Sequence, residues 1–271
     1  MKAAWLHHPQ FCPRVLARRV TDEVLDLVFL LGRVVAVRGR YLPLARGFKT
    51  NTYFMAAHRL RRQGLVVQRN ILGHTRELSL APAGLQRVSA TLQPERCWRQ
   101  HWSGRWYVLV YDIPESRRRY RKVLRSHLKH LRFGNLQGSV WVSAWDIRPD
   151  FDDLSRAAGL SEYAFLFEAQ TVLGQSGPAL AAAAWDFHQL HQAHTWFLAA
   201  LAETREQLSA GTWSADKLLA LLREQQSAYL TVMEADPLLP AELWPDNYLG
   251  PQVYQAHENL ARHILGQLQV V

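Results

Sequence analysis

Only two cysteines, Cys12 and Cys97, occur in 271 residues, and they form no C-x-x-C pair. Neither a disulfide framework nor a zinc ribbon is supported, and a reducing cytoplasm is the expected compartment. No apolar run is both long and uncharged enough to cross a bilayer, and the first residues lack the layout of a secretory signal. A P-loop and a dinucleotide-binding glycine fingerprint are both missing. Gly174-Gln175-Ser176-Gly177 lacks the spacing of a G-x-S-x-G nucleophile elbow. No internal repeat or low-complexity tract is visible. Acidic residues are scarce in one half only. Residues 1–134 hold 26 Lys+Arg against 7 Asp+Glu, a net of +19, whereas residues 135–271 hold 6 against 16, a net of −10. That asymmetry predicts a polyanion partner for the first half, and most of its cations are arginine, whose planar fork suits phosphate.

What is present is 48% hydrophobic residues, enough for one to three packed domains. The expected fold class is α+β in three parts: an N-terminal winged helix-turn-helix over 18–92, a central ferredoxin-like βαββαβ domain over 104–174, and a mostly helical C-terminal domain over 179–271. In the first part, Thr21 is placed to cap a helix over Asp22–Leu31, with Leu25, Val28 and Leu31 on one face. A turn with Gly39 and Pro43 follows. Thr50–Gln63 reads as a second helix, closed by Gly64 as its C-cap. Strands at Leu65–Gln68 and Arg76–Leu80 flank a turn around Asn70–His74, and a further helix runs from Pro82 to about Leu92. A polar, Trp-containing linker, Gln93–Gly104, leads onward.

The central part opens on Trp106–Tyr111, wholly apolar or aromatic as a buried strand should be. Pro114 and Glu115 start a helix, where a missing N–H is harmless and a carboxylate faces the positive dipole end. That helix places Tyr120, Val123, Leu124, His127, Leu128 and Leu131 on its apolar side and seven Arg or Lys between them. A strand at Gly138–Ala144, a short helix at Asp150–Ala158 and a strand at Tyr163–Ala169 give an order close to the ferredoxin-like βαββαβ. The third part reads as helices over Ala179–Leu208, Ser214–Ala235 and Tyr254–Leu268, interrupted by the proline-rich Asp236–Pro251.

In a helix-turn-helix, the N-terminal turn of the second helix meets base edges. Here it offers Lys49, Thr50, Asn51 and Thr52, and asparagine can pair bidentately with adenine. Arg59, Arg61 and Arg62 are placed to grip backbone phosphates, and His74 and Arg76 lie in or beside the wing. Ala56 and Leu60, four apart, face the core. Asp112, at the end of the first central strand, is the one candidate for metal chemistry. One carboxylate is a thin ligand set for Mg²⁺. His188, His191 and His194 recur every three residues and drift around their helix, so no metal site and no catalytic residue is expected from them.

These motifs resemble the PaaX-type repressors of bacterial phenylacetate catabolism along nearly the whole chain. The first part carries R-L-R-R-Q-G-L-V at Arg59–Val66 and R-E-L-S-L at Arg76–Leu80. The central part carries Y-D-I-P-E at Tyr111–Glu115 and F-G-N-L-Q-G-S-V-W-V-S at Phe133–Ser143. The third carries W-D-F-H-Q-L at Trp185–Leu190 and D-P-L-L-P-A-E-L-W-P at Asp236–Pro245. The resemblance implies a central domain similar in fold to the small CRISPR-associated nuclease subunit, and from that likeness the competing reading is a metal-dependent nuclease using the central domain, with Asp112 as its metal-binding aspartate. It also implies a homodimeric transcriptional repressor on a partly palindromic double-stranded DNA operator, with an acyl-CoA, typically phenylacetyl-CoA, as regulatory ligand rather than cofactor. The chain departs from the family early in the recognition helix, where Tyr53-Phe54-Met55-Ala56 stands without the usual arginine, and at His194, where a tyrosine is usual.

An acyl-CoA needs cations for its phosphates and an aromatic pocket for its tail. Charge and composition therefore nominate Arg117, Arg118, Arg121 and Arg125 for the nucleotide head, and Trp185, His188, His191 and Trp196 for the aryl end. If about six side chains of the first part meet phosphates, the logarithm of the DNA association constant falls against log salt with a slope near −5. Fluorescence anisotropy with a labelled duplex at several salt concentrations measures it, and a slope near zero contradicts the reading.

Overall fold

The computed structural model describes residues 24–30, 50–71, 75–88, 90–148, 163–170, 172 and 174–268. Residues 24–30 form helix α1, all seven of them buried. Helix α2 spans Thr50–Arg62, and strands β1 (Val66–Ile71) and β2 (Thr75–Leu80) follow it. Gly64 ends α2 with φ +67°, its N–H donating to the Arg61 carbonyl and that of Leu65 to the Leu60 carbonyl. This paired bonding is the left-handed C-cap that glycine permits. β1 and β2 pair antiparallel, from Val66 opposite Leu80 to Ile71 opposite Thr75. The predicted helix–glycine–hairpin order is thus present. The predicted cap at Thr21, the turn with Gly39 and Pro43, and the helix at Asp150–Ala158 lie outside the described residues.

The helix expected over Pro82–Leu92 is two pieces, α3 (Pro82–Arg87) and a 3₁₀ turn at Ala90–Leu92. The expected linker carries a short helix, α4 (Pro94–Trp98), because Trp98 is buried there.

Next come β3 (Trp106–Tyr111), α5 (Arg118–His130), β4 (Gly134–Gln137), β5 (Val140–Ser143) and β6 (Ala164–Ala169). The four strands form an antiparallel sheet ordered β4-β5-β3-β6, as a ferredoxin-like βαββαβ chain requires. Alternation along β3 explains its uninterrupted apolar sequence. Tyr107, Leu109 and Tyr111 meet Leu124 and Leu128 of α5 on one face, while Trp106 and Val108 meet a separate cluster on the other. Both faces are covered, so no polar residue is called for. Val123, placed on the apolar side of α5 by its spacing, is instead 62% exposed; among the described side chains of α5, Leu124 and Leu128 are the buried ones.

The remainder is helical: α6 (Gly177–Ala184), α7 (Phe187–Ala210), α8 (Ala215–Glu234) and α9 (Gly250–Leu268). The single helix expected over Ala179–Leu208 is broken at Trp185–Asp186. Trp185 is extended, and the Asp186 carboxylate accepts the Gln189 N–H at 2.9 Å, an N-cap that starts α7 afresh. α9 begins four residues earlier than expected because Pro251 sits in its first turn, where it does no harm.

The chain divides into two compact units. One gathers the described residues of Met1–Gln93, Ala193–Met233 and Leu249–Val271, and the other Pro94–Gln192 with Glu234–Tyr248. In the first, the Tyr229 hydroxyl donates to the Thr91 carbonyl at 2.8 Å. Tyr229 stacks on His257 with ring centroids 3.9 Å apart and lies beside Phe197. The Gln225 amide donates to Nδ1 and the carbonyl of His257. Burial pushes the imidazole down to about 3, so it is neutral. In the second unit, α6 and the Leu239–Leu243 segment cover the face of the sheet opposite α5.

Gly134 marks the tightest approach in that second unit. A Cβ there would lie 2.7 Å from both Ala184 and the Trp185 ring. Gly134→Ala is expected to lower unfolding stability by about 1–3 kcal/mol through overpacking. Gly266→Ala, in α9 with open space around it, is expected to raise stability by about 0.5–1 kcal/mol. Urea denaturation reads both, and equal signs contradict the packing.

Candidate nucleic-acid interface

Helix α2 has a buried side and an exposed side. Ala56, Ala57 and Leu60 are buried, Leu60 to 1%, which is the inward face expected of Ala56 and Leu60. Phe54, Met55, His58, Arg59, Arg61 and Arg62 are exposed. The helix contains no acidic residue, and its last turn holds Arg59, Arg61 and Arg62, close to the carbonyl end of the dipole. Arg61 Nη1 donates to Gln68 Oε1 of β1 at 2.6 Å, tying the helix to the hairpin. Three arginines therefore lie on one exposed helical turn beside a β-hairpin. Lys49 and His74 lie outside the described residues, as do the side chains of Thr50, Asn51, Thr52, Arg76 and Arg117.

The second basic surface is α5. Arg118, Arg119, Lys122 and Lys129 are exposed. Arg121 donates to the Ile113 carbonyl at 2.7 Å and pairs with Glu115 at 3.0 Å. Arg125 donates to the Tyr111 hydroxyl and to the Gly138 carbonyl, each at 3.0 Å. Of the arginines nominated for a nucleotide head, Arg121 and Arg125 thus hold the strand ends in place, and Arg118 is free-standing on the surface.

Of the residues nominated for an aryl tail, Trp185 is not brought together with them. Trp185 packs on Trp106 at 6.3 Å, on the face of the sheet opposite α5. His188 is exposed, and Gln192 Nε2 lies 3.5 Å from its ring. His191 Nδ1 lies 3.0 Å from the Asn247 carbonyl. Trp196 is half-buried on the part of α7 that belongs to the other unit, where His194 is buried. Asp112 is exposed, its backbone N–H donating to the Tyr163 carbonyl at 2.8 Å. Among the described residues, no three His, Cys, Asp or Glu gather to hold a metal ion, and no helix is long and apolar enough to cross a membrane.

Two features escaped the sequence reading. A cavity of about 550 Å³ opens where α7 turns into α8, lined by Thr204, Gln207, Gly211, Trp213, Lys217 and Glu224. Its Trp213 indole N–H is buried without a partner. The other is Asp236, wholly buried, whose carboxylate accepts from the Leu238 N–H and from the Tyr248 hydroxyl at 2.8 Å each. The Arg132 guanidinium donates to its backbone carbonyl. Burial outweighs these partners and raises the carboxyl from 3.8 to about 6. The stretch D-P-L-L-P-A-E-L-W-P at Asp236–Pro245 gave no sign of this in the sequence.

Comparisons with known proteins concern the chain from residue 99 onward and its fold. Residues 99–181 match the family model described as PaaX protein central Cas2-like domain, and residues 185–268 match the PaaX-like protein C-terminal domain. Among solved structures, the chain is similar to the uncharacterized protein Rv0674 from Mycobacterium tuberculosis. The identity is 21%, the TM-score 0.55, and the similarity covers 93% of this chain and 98% of that one. No curated protein matches.

The Asp236 shift fixes a sign. Its folded value lies above the unfolded one, so the folded chain holds the extra proton between about pH 4 and 6. The associated stability is complete below that window and is lost as pH rises through it. The unfolding free energy of the wild type minus that of Asp236→Asn is expected to fall by about 2–3 kcal/mol from pH 4 to pH 6.5. A difference that is flat with pH in chemical denaturation contradicts the assignment.

Proposed function

The chain belongs to the PaaX family, and from that membership we propose that it is a DNA-binding transcriptional repressor of aromatic-acid catabolism, of the phenylacetate type. As a PaaX-like regulator it acts on DNA; the finer reading is that it leaves its operator when an aryl-acetyl-CoA binds. The observation that carries the proposal is the exposed face of α2, with Arg59, Arg61 and Arg62 on one turn and no acidic residue on the helix. Such a face neutralises phosphates and releases their counterions. The β1–β2 hairpin after α2 supports a winged-helix geometry, in which the helix enters the major groove and the wing lies alongside it. Two copies are required to read a partly palindromic operator, with their recognition helices about 34 Å apart.

Release needs little energy. An effector that favours a non-binding arrangement by about 2–3 kcal/mol lowers operator affinity by roughly 30- to 150-fold. The cavity beside Trp213 is of the size that small ligands occupy, and the exposed Arg118, Arg119 and Lys122 offer cations for phosphates. Both features support a ligand-responsive protein. No catalytic residue is assigned.

The test is a shift assay on the DNA upstream of the chain's own gene and of adjacent genes, with and without phenylacetyl-CoA. Retention that is saturable, salt-sensitive and relieved by the thioester is expected. Replacing Arg59, Arg61 and Arg62 by alanine is expected to make the salt slope shallower by about 2–3, near 0.9 for each lost phosphate partner. Retention that is unchanged in the triple variant at physiological salt contradicts the proposal.

A further inference from the structure

Phe54 and Met55 stand 58% and 63% exposed in the middle of the same basic helix. Such exposure is unusual for two adjacent large apolar side chains. Among the described residues, the edge of the Tyr53 ring meets Phe54, with ring centroids 5.7 Å apart. At 100° per residue, Phe54, Met55, His58 and Arg62 fall within about 100° of the helix circumference, opposite Ala56, Ala57 and Leu60. The apolar pair therefore sits on the stripe that points furthest from the core. It lies one to two turns ahead of the three arginines, towards the N-terminal end that meets base edges when such a helix enters the groove.

Resting on the DNA-binding reading above, we infer that Phe54 and Met55 read thymine C5-methyl groups in the major groove. The major groove is about 12 Å wide, and its one apolar feature is the thymine methyl, which apolar side chains recognise by burial. Charge decides between this occupant and an apolar protein surface. The pair is framed by His58, Arg59, Arg61 and Arg62 with no acidic residue on the helix, a setting that suits a phosphate-walled groove. The arginines hold the helix in register without reading sequence, and the apolar pair then supplies a preference for thymine at the positions it covers. Burying one methyl is expected to change affinity about fourfold.

The experiment uses the full-length chain. Duplexes are selected by it from a random pool, and each thymine of the selected sequence is then replaced singly by deoxyuridine, which lacks only the methyl. The wild type is expected to lose about three- to fivefold in affinity at one or two thymines of each half-site. In Phe54→Ala/Met55→Ala that loss is expected to vanish, while affinity for an unselected duplex and its salt slope stay unchanged. Phe54→Leu/Met55→Leu, which keeps apolar surface, is expected to retain part of the loss. Wild-type binding that is indifferent to every replacement overturns the inference while leaving DNA binding intact. A double-alanine variant that keeps the full deoxyuridine penalty also overturns it, and so does one whose sedimentation shows a smaller assembly, since that assigns the pair to a protein surface. Failure to select or to bind any duplex overturns the DNA-binding reading itself.

Discussion

Taking the Asp236 carboxylate out of water is unfavourable unless donors replace the lost hydration. The Leu238 N–H and the Tyr248 hydroxyl supply them, and the Arg132 guanidinium anchors the adjoining carbonyl. Arg132 reaches that position because it occupies the left-handed turn after α5, with φ 63°. There the N–H groups of Arg132 and Phe133 donate to the Lys129 and Leu128 carbonyls, a glycine-type cap made by an arginine. The same residue thus makes the turn with its backbone and reaches the Asp236 carbonyl with its side chain. Once Asp236 is held, the following Leu239 and Leu243 are delivered to the sheet face opposite α5. Trp98, Trp244 and Tyr248 then pack edge to face around the junction. A segment far along the chain is therefore part of the central unit.

That return of the chain explains what the sequence could and could not reveal. Periodicity exposed β3 and the Leu124–Leu128 stripe, because a strand covered on both faces and a helix covered on one have distinct apolar patterns. Gly64 announced the end of α2, since few other residues suit its positive φ. The break at Asp186 stayed hidden within a helix-favouring stretch, because an N-cap aspartate resembles any polar surface residue until its hydrogen bond is seen. Equally, nothing local distinguishes Arg132 at its cap from the other arginines around it. The D-P-L-L-P-A-E-L-W-P stretch was legible as irregular; its role as a lid on the sheet depends on residues about a hundred positions earlier.

The same contrast applies to the basic residues. Charge counting marks the front half of the chain as a polyanion binder and cannot say which cations are free. The structure sorts them. Arg121 and Arg125 brace the ends of β3 and its neighbours, whereas Arg62 is exposed on α2, a helix with no acidic residue. Arg118 stays exposed on a helix that lies across the sheet from Trp185, so a single ligand held by both is not what the fold assembles. Buried polar groups in the helical unit, such as Gln226 with both amide atoms unpaired, mark that region as one where packing alone does not account for the residues chosen.

The account stands on the outward face of α2 lying against duplex DNA. Tethered cleavage tests this most directly. A cysteine placed at His58 in a Cys12→Ser/Cys97→Ser background carries an iron–EDTA group and is loaded onto selected duplex. Strand scission centred inside each half of the protected site is the predicted result. Scission confined to the edges of the footprint, or none at all while the duplex remains bound, contradicts the account.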